Sequence, residues 1–149
     1  MRNQEKPSPP PTLKHLNRFI VQLQRLEKQP FRFGAAGPLT PGEIHTIDAI
    51  GLEGGVLMSE LANRLAVTKG AVTQMILRLE DKRLVGRTPN PDDSRSTLVS
   101  LTELGKEAYH THEAMHQAFI RDLSSQLDER EIEIFDQCLE KLCRHLMAE

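Results

Sequence analysis

No run in this 149-residue sequence comes near the roughly 20 consecutive apolar positions that a membrane-spanning helix needs. Met1 to Pro11 is polar and proline-rich and holds no apolar stretch of the kind a secretory signal carries. The sequence therefore reads as that of a cytoplasmic protein with no membrane partner. Cysteine is nearly missing: only Cys138 and Cys143 occur. Five residues apart on one helix, they point in different directions, which excludes a disulfide framework and a Cys-x-x-Cys metal or redox site; both read as packing residues. A large excess of either charge is missing as well, and a net charge of −2 argues against a protein that coats nucleic acid indiscriminately. With 38% hydrophobic and 27% charged residues, the chain can bury one core. It is too ordinary in composition to be disordered and too short for a large two-domain enzyme.

The charge is unevenly spread, and a phosphate backbone feels local charge. Arg64 to Arg95 holds seven Lys/Arg against four Asp/Glu, while the rest of the chain holds 12 against 17. One basic segment of +3 sits on an acidic body of −5.

Pro7 to Pro11 reads as an extended tail, so residues 1–11 are set apart. Leu13, Leu16, Ile20 and Leu23 then recur at helical spacing with one buried seam, and the next position in that rhythm is Glu27. Pro30 ends this helix and FRFGAAGPL reads as a loop. Thr40-Pro41-Gly42-Glu43 is a helix start with a capping box, and the helix buries Ile44, Ile47 and Ile50 before stopping near Gly51. A short strand at VLM precedes a helix expected to be capped by Ser59. Thr68 caps the next, whose buried face is Val72, Met75, Ile76 and Leu79. The runs LVGRT and STLVSL, joined by PNPDDSR, read as a hairpin. Thr102 caps a long helix to about Ser124, and Asp128 with Glu131 opens a last one towards Met147.

Two short helices joined by a tight turn and followed by a hairpin make a winged helix-turn-helix, a mainly α fold of the α+β kind. The second helix of such a pair enters the major groove. Its face away from the core carries Gly70, Thr73, Gln74 and Arg78, with Thr68 and Lys69 at its N-terminal edge. These are small or hydrogen-bonding side chains where bases are read and cations where phosphates lie. Leu77 falls on the same face, where it must touch thymine methyls, pack on the wing or stand exposed. The competing readings are a helix-turn-helix that serves only as a protein interaction module, and an enzyme. Catalysis would need a nucleophile, a base and a pocket, and Ser59, Thr68 and Ser96 are already explained as caps or wing residues.

The segment LANRLAVTKGAVTQMILRLEDKRLV, followed by PDDSRSTLVSLTELGKEA, resembles the MarR family of bacterial transcription regulators. The likeness covers about residues 40–110 in sequence and the whole chain in helix order. It is most specific at Asp93-Ser94-Arg95-Ser96 and Leu101-Thr102-Glu103-Leu104-Gly105, similar to the family's wing signature. The resemblance implies that Arg95 reaches the minor groove from the wing tip, with Asp93 orienting it. It also implies that the first and last helices of two chains interlock as a homodimer. The expected organisation is a DNA-binding lobe at 38–101 with dimerisation helices at 12–37 and 102–149. The expected partner is double-stranded DNA with a pseudopalindromic operator.

Six histidines remain to be placed. On the long helix, His112 and His116 lie one turn apart at the edge of the apolar face, whereas His110 faces solvent. An i, i+4 histidine pair is the arrangement by which a helix offers two ligands to a divalent metal. Glu27 takes a core-phase position in the first helix, where a carboxylate without a cation is expensive, and His45 sits beside the apolar face of the second. The combination is similar to zinc-responsive members of the MarR family. There a glutamate near the end of the first helix, a histidine in the second and an H-x-x-x-H pair in the dimerisation helix bind metal. By that resemblance Glu27, His45, His112 and His116 form a zinc site. Nitrogen and oxygen ligands alone also admit iron, manganese or nickel. Ile44 stands where one acid of those relatives' second site falls, and Asp48 reads as an extra ligand or an acceptor behind one. The expected function is a repressor whose DNA affinity is set by this metal; the alternative effector is a small organic anion or phenol in the same crevice. No organic cofactor is implied.

Overall fold

The computed structural model describes residues 13–26 and 30–146. Helix α1, Lys14–Leu26, leads to a two-stranded ladder of β1, Phe31–Arg32, and β2, Pro38–Leu39. Helix α2, Pro41–Ile50, strand β3, Val56–Leu57, helix α3, Met58–Leu65, and helix α4, Lys69–Asp81, follow. Strands β4, Val85–Asn90, and β5, Asp93–Leu101, come next, then α5, Glu103–Ser124, and α6, Glu129–Leu146. The larger sheet runs β3-β5-β4, all antiparallel, with Val56 opposite Val99 and Val85 opposite Leu101. This is the mainly helical winged helix-turn-helix expected from the sequence.

The caps place the helices. Thr40 accepts from the Glu43 amide while Glu43 accepts from the Thr40 amide, and Pro41 fills the first turn, where a missing N–H costs nothing. Thr68 and Thr102 accept in the same way from Ala71 and Gly105, and Asp128 and Glu131 bond reciprocally. Ser59 is not a cap: α3 starts one residue earlier at Met58, with Leu57 at the N-cap, because β3 runs straight into the helix. The FRFGAAGPL stretch is not an open loop either. Phe33 at its centre is buried in the core, and left-handed Gly34 and Gly37 turn the chain so that β1 and β2 pair.

One core lies where α2, α3, α4 and the sheet meet the first half of α5. Ile47, Leu61, Val72, Ile76, Leu79, Leu84 and Val99 are fully buried there. Gly105 admits the closest approach, since a Cβ at this position would lie 2.0 Å from the Leu84 carbonyl oxygen. The apolar seam of α1 has the expected period, but no described residue of α1 or α6 is buried within the single chain.

Glu43 ties the two ends of the lobe together. Lys82, at the C-terminal end of α4, reaches its carboxylate at 2.8 Å. Burial pushes the Glu43 carboxyl up, but the hydrogen bond and charge of Lys82, with the donors of Thr40, outweigh it and hold the group below the usual carboxylate range. The stability this contributes is complete above about pH 4.3, the unfolded value, and is lost as pH falls through the lower folded value. Urea denaturation from pH 6 to 3 is expected to give a steeper loss of stability for wild type than for Glu43→Gln; equal slopes would contradict the pairing.

Candidate nucleic-acid interface

Helix α4 buries Val72, Ile76 and Leu79 and turns Lys69, Gly70, Gln74, Leu77 and Arg78 to solvent. The turn that aims it is tight: Ala66 adopts the left-handed conformation, and the Val67 amide bonds back to the Ala62 carbonyl. Of the residues expected to read bases, Thr73 is half-buried and its hydroxyl donates to the Lys69 carbonyl at 2.9 Å. The Thr68 hydroxyl is engaged as the cap. Gln74 is exposed and, among the described residues, has no hydrogen-bond partner, so both its amide donor and its acceptor are available.

The wing is longer and its turn tighter than the sequence suggested. Most of PNPDDSR belongs to the strands, and the chain reverses at Pro91-Asp92. Pairing shifts between Pro89, opposite Thr97, and Asn90, opposite Asp93, which leaves Ser94, Arg95 and Ser96 outside the regular ladder. Such a bulge re-aims side chains, and the Arg95 side chain is 93% exposed. Asp93 accepts from the Arg95 amide at 3.0 Å and lies 3.5 Å from its Nε.

Between α4 and the wing lies a crevice of about 410 Å³ lined in part by Ser59, Lys69, Thr73, Arg87, Arg95 and Ser96. Three cations therefore converge where the recognition helix meets the hairpin. Arg87 was not among the sequence candidates. It was visible only as one of seven cations in the basic segment, because nothing local says that its strand turns it towards α4, where it pairs with Glu80 at 2.7 Å.

The histidines form a second cluster, between α2 and α5. His112 is buried, and its Nδ1 lies 2.7 Å from Asp48 Oδ2. Its ring meets His116 edge-on at 4.1 Å between centroids and lies 6.3 Å from His45, with Phe33 against its other side at 5.8 Å. His45, His112 and His116 are thus brought together with Asp48, and His110 points elsewhere, towards Glu113. Among the described residues no three such side chains converge on one metal position. Glu27, the fourth expected ligand, lies outside the described residues.

Residues 38–96 match the model of the MarR family. The chain is 33% identical over 110 residues to the HTH-type transcriptional repressor MdtR of Bacillus subtilis, covering 74% of this chain and 66% of that protein. It is 30% identical over 105 residues to the multiple antibiotic resistance protein MarR of Salmonella typhimurium, covering 70% and 73%. The structure of Streptococcus pneumoniae FabT in complex with DNA superposes with a TM-score of 0.76 at 25% identity, over 92% of this chain and 99% of that one.

Arg95→Ala is expected to lower the salt dependence of binding to a selected duplex by about one unit of slope, the loss of one phosphate-side contact. Gln74→Ala should instead cost about 1–3 kcal/mol and relax preference at one base pair. Fluorescence anisotropy across a salt series checks both, and an unchanged slope for Arg95→Ala would remove the wing contact.

Proposed function

The chain belongs to the MarR family of transcription regulators and is a DNA-binding protein, not an enzyme; on that premise we propose that it is a homodimeric, metal-controlled repressor. The lobe at 38–101 reads DNA, and the helices at 12–37 and 102–149 pair two chains. The exposed apolar surface of the terminal helices supports the dimer. Leu13 and Phe119 are each 66% exposed, and Ile134 and Leu142 also face outward. Leu13, Leu16, Phe19, Phe135, Leu139 and Leu142 line an open apolar groove of about 620 Å³ between α1 and α6. A second copy that buries these faces sets two recognition helices on half-sites about 34 Å apart along a pseudopalindromic operator. We place this activity in the cytoplasm; no helix among the described residues is long and apolar enough to cross a membrane.

The metal reading is supported by the nearness of His45, His112, His116 and Asp48 between α2 and α5, although among the described residues no three of them meet at one position. The donor chemistry fits a divalent cation. With the Asp48 carboxylate 2.7 Å from Nδ1 of His112, the ring's Nε2 would be the ligand atom, the usual outer arrangement behind a metal-bound imidazole. His45, His112 and His116, with Glu27, would hold the ion, zinc before iron, manganese or nickel. A cation there ties the helix leading into the reading head to the dimerisation helix, and so couples occupancy to the spacing of the two heads.

Light scattering at micromolar concentration should give a dimer; a monomer would end this reading. Titration calorimetry with zinc, iron(II), manganese and nickel should show binding to wild type and His110→Ala. The His112→Ala/His116→Ala double variant should lose it. Equal binding by wild type and the double variant removes the metal site and favours an organic anion or phenol as effector.

A further inference from the structure

We propose that Leu77 is a specificity-determining residue that reads the C5-methyl of a thymine in the major groove, so that each half-site carries one thymine whose methyl group is required. The inference rests on the DNA-binding reading of α4 and adds to it what one position must recognise.

Leu77 is 42% exposed although the wing is in place, so packing against the hairpin does not cover it. At roughly 100° per residue, the buried Val72, Ile76 and Leu79 centre on one side of α4, and Gly70, Gln74 and Leu77 lie within about 50° of the opposite direction. The leucine is therefore on the outer face, beside Gln74 and about 10 Å along the axis from Gly70. Single exposed leucines are common and need no partner. This one differs because the surface it occupies is the one pressed against base edges. Its exposed neighbours on α4, Gln74, Arg78 and Asp81, are polar or charged, so no contiguous apolar patch suggests a protein partner instead.

Closing a leucine against base edges strips water from whatever it touches. Against guanine O6 or N7, the cytosine amino group or the adenine amino group, that would strand a donor or acceptor without a partner. The thymine C5-methyl is the one apolar group on the major-groove edge, so it is the partner against which Leu77 gains rather than loses.

The test takes a randomised duplex library through selection on the full chain and on Leu77→Ala. The enriched wild-type duplex is then remade with deoxyuridine at each thymine in turn, which removes only the methyl. At one thymine per half-site the exchange should weaken wild-type binding about fourfold, the worth of one buried carbon group, and leave Leu77→Ala unaffected. Leu77→Met, which keeps an apolar tip, should retain the methyl dependence, and Leu77→Gln should lose it. The proposal is overturned if no exchange weakens wild type, or if the same exchange weakens wild type and both the Ala and Gln variants equally. A wild-type chain that enriches no duplex at all would instead remove the DNA-binding reading itself, and this assignment with it.

Discussion

The long helix α5 has to serve two bodies at once, and most of the molecule's behaviour follows from that. Its 22 residues span about 33 Å, and its first half is fastened to the DNA-binding lobe at three levels. At the base, the Thr102 hydroxyl donates to the Arg83 carbonyl while the Thr102 amide donates to that of Leu84. Gly105 lets the helix lie directly on Leu84, where any side chain would force the two apart. One turn on, Glu107 accepts from the Ala35 amide and so holds the segment between β1 and β2. At the third level His112 meets Asp48 of α2. Beyond His112 the helix carries Met115, Phe119 and Ile120 on exposed positions.

This division explains why α1 and α6 look incomplete in one chain. A 13-residue helix is marginal by itself in water, and α1 presents Phe19, Ile20, Leu23 and Leu26 with no described residue buried. Such helices gain their stability from whatever covers them. In the proposed dimer a second chain would cover them and the second half of α5 together. Any shift of α5 against its partner is then passed to the lobe through the three attachments, since none of them is a long flexible loop. The histidine cluster sits at the last attachment before the helix leaves the lobe, which is the place where a small change in packing has the longest lever.

What could be read from the sequence was mostly what is decided locally. Thr40 with Glu43, Thr68, Thr102, and Asp128 with Glu131 cap as expected because a cap needs only its own first turn. The periodicity of α1 was legible, but not what it packs on, because none of its residues is buried among the described residues of the same chain. Ser59 misled because a serine before an apolar run is a cap only if the backbone there is extended, and β3 brings the helix start forward to Met58. The β1–β2 ladder was hidden since two-residue strands have no pattern of their own and depend on Phe33 entering the core. On the reading face, helical phase placed Gln74 and Leu77 correctly, whereas Arg87 depends on how a strand crosses the end of a helix. The i, i+4 spacing foretold the contact of His112 with His116. It could not tell that Asp48, offered either as ligand or as acceptor, would meet Nδ1 of His112.

The electrostatics of the basic segment limit how such a lobe can bind. Several of its cations are already spent on internal acids: Arg64 on Glu60, Lys82 on Glu43 and Arg87 on Glu80. Among the described residues no acidic partner lies against Lys69, Arg78 or Arg83, and Arg95 has only a long contact with Asp93. The attraction for phosphate thus comes from a few side chains at the rim of α4 and the wing tip, while the rest of the chain carries an excess of acid. That excess repels a duplex approaching from any other side, so encounter is biased towards one orientation. Because salt screens charge beyond about 8 Å under physiological conditions, the bias acts only at close range and cannot hold the protein on arbitrary DNA. On the proposed reading, tight binding is then made up by Gln74, Leu77 and the wing at matched base pairs, and a weak charge set becomes a condition for selectivity.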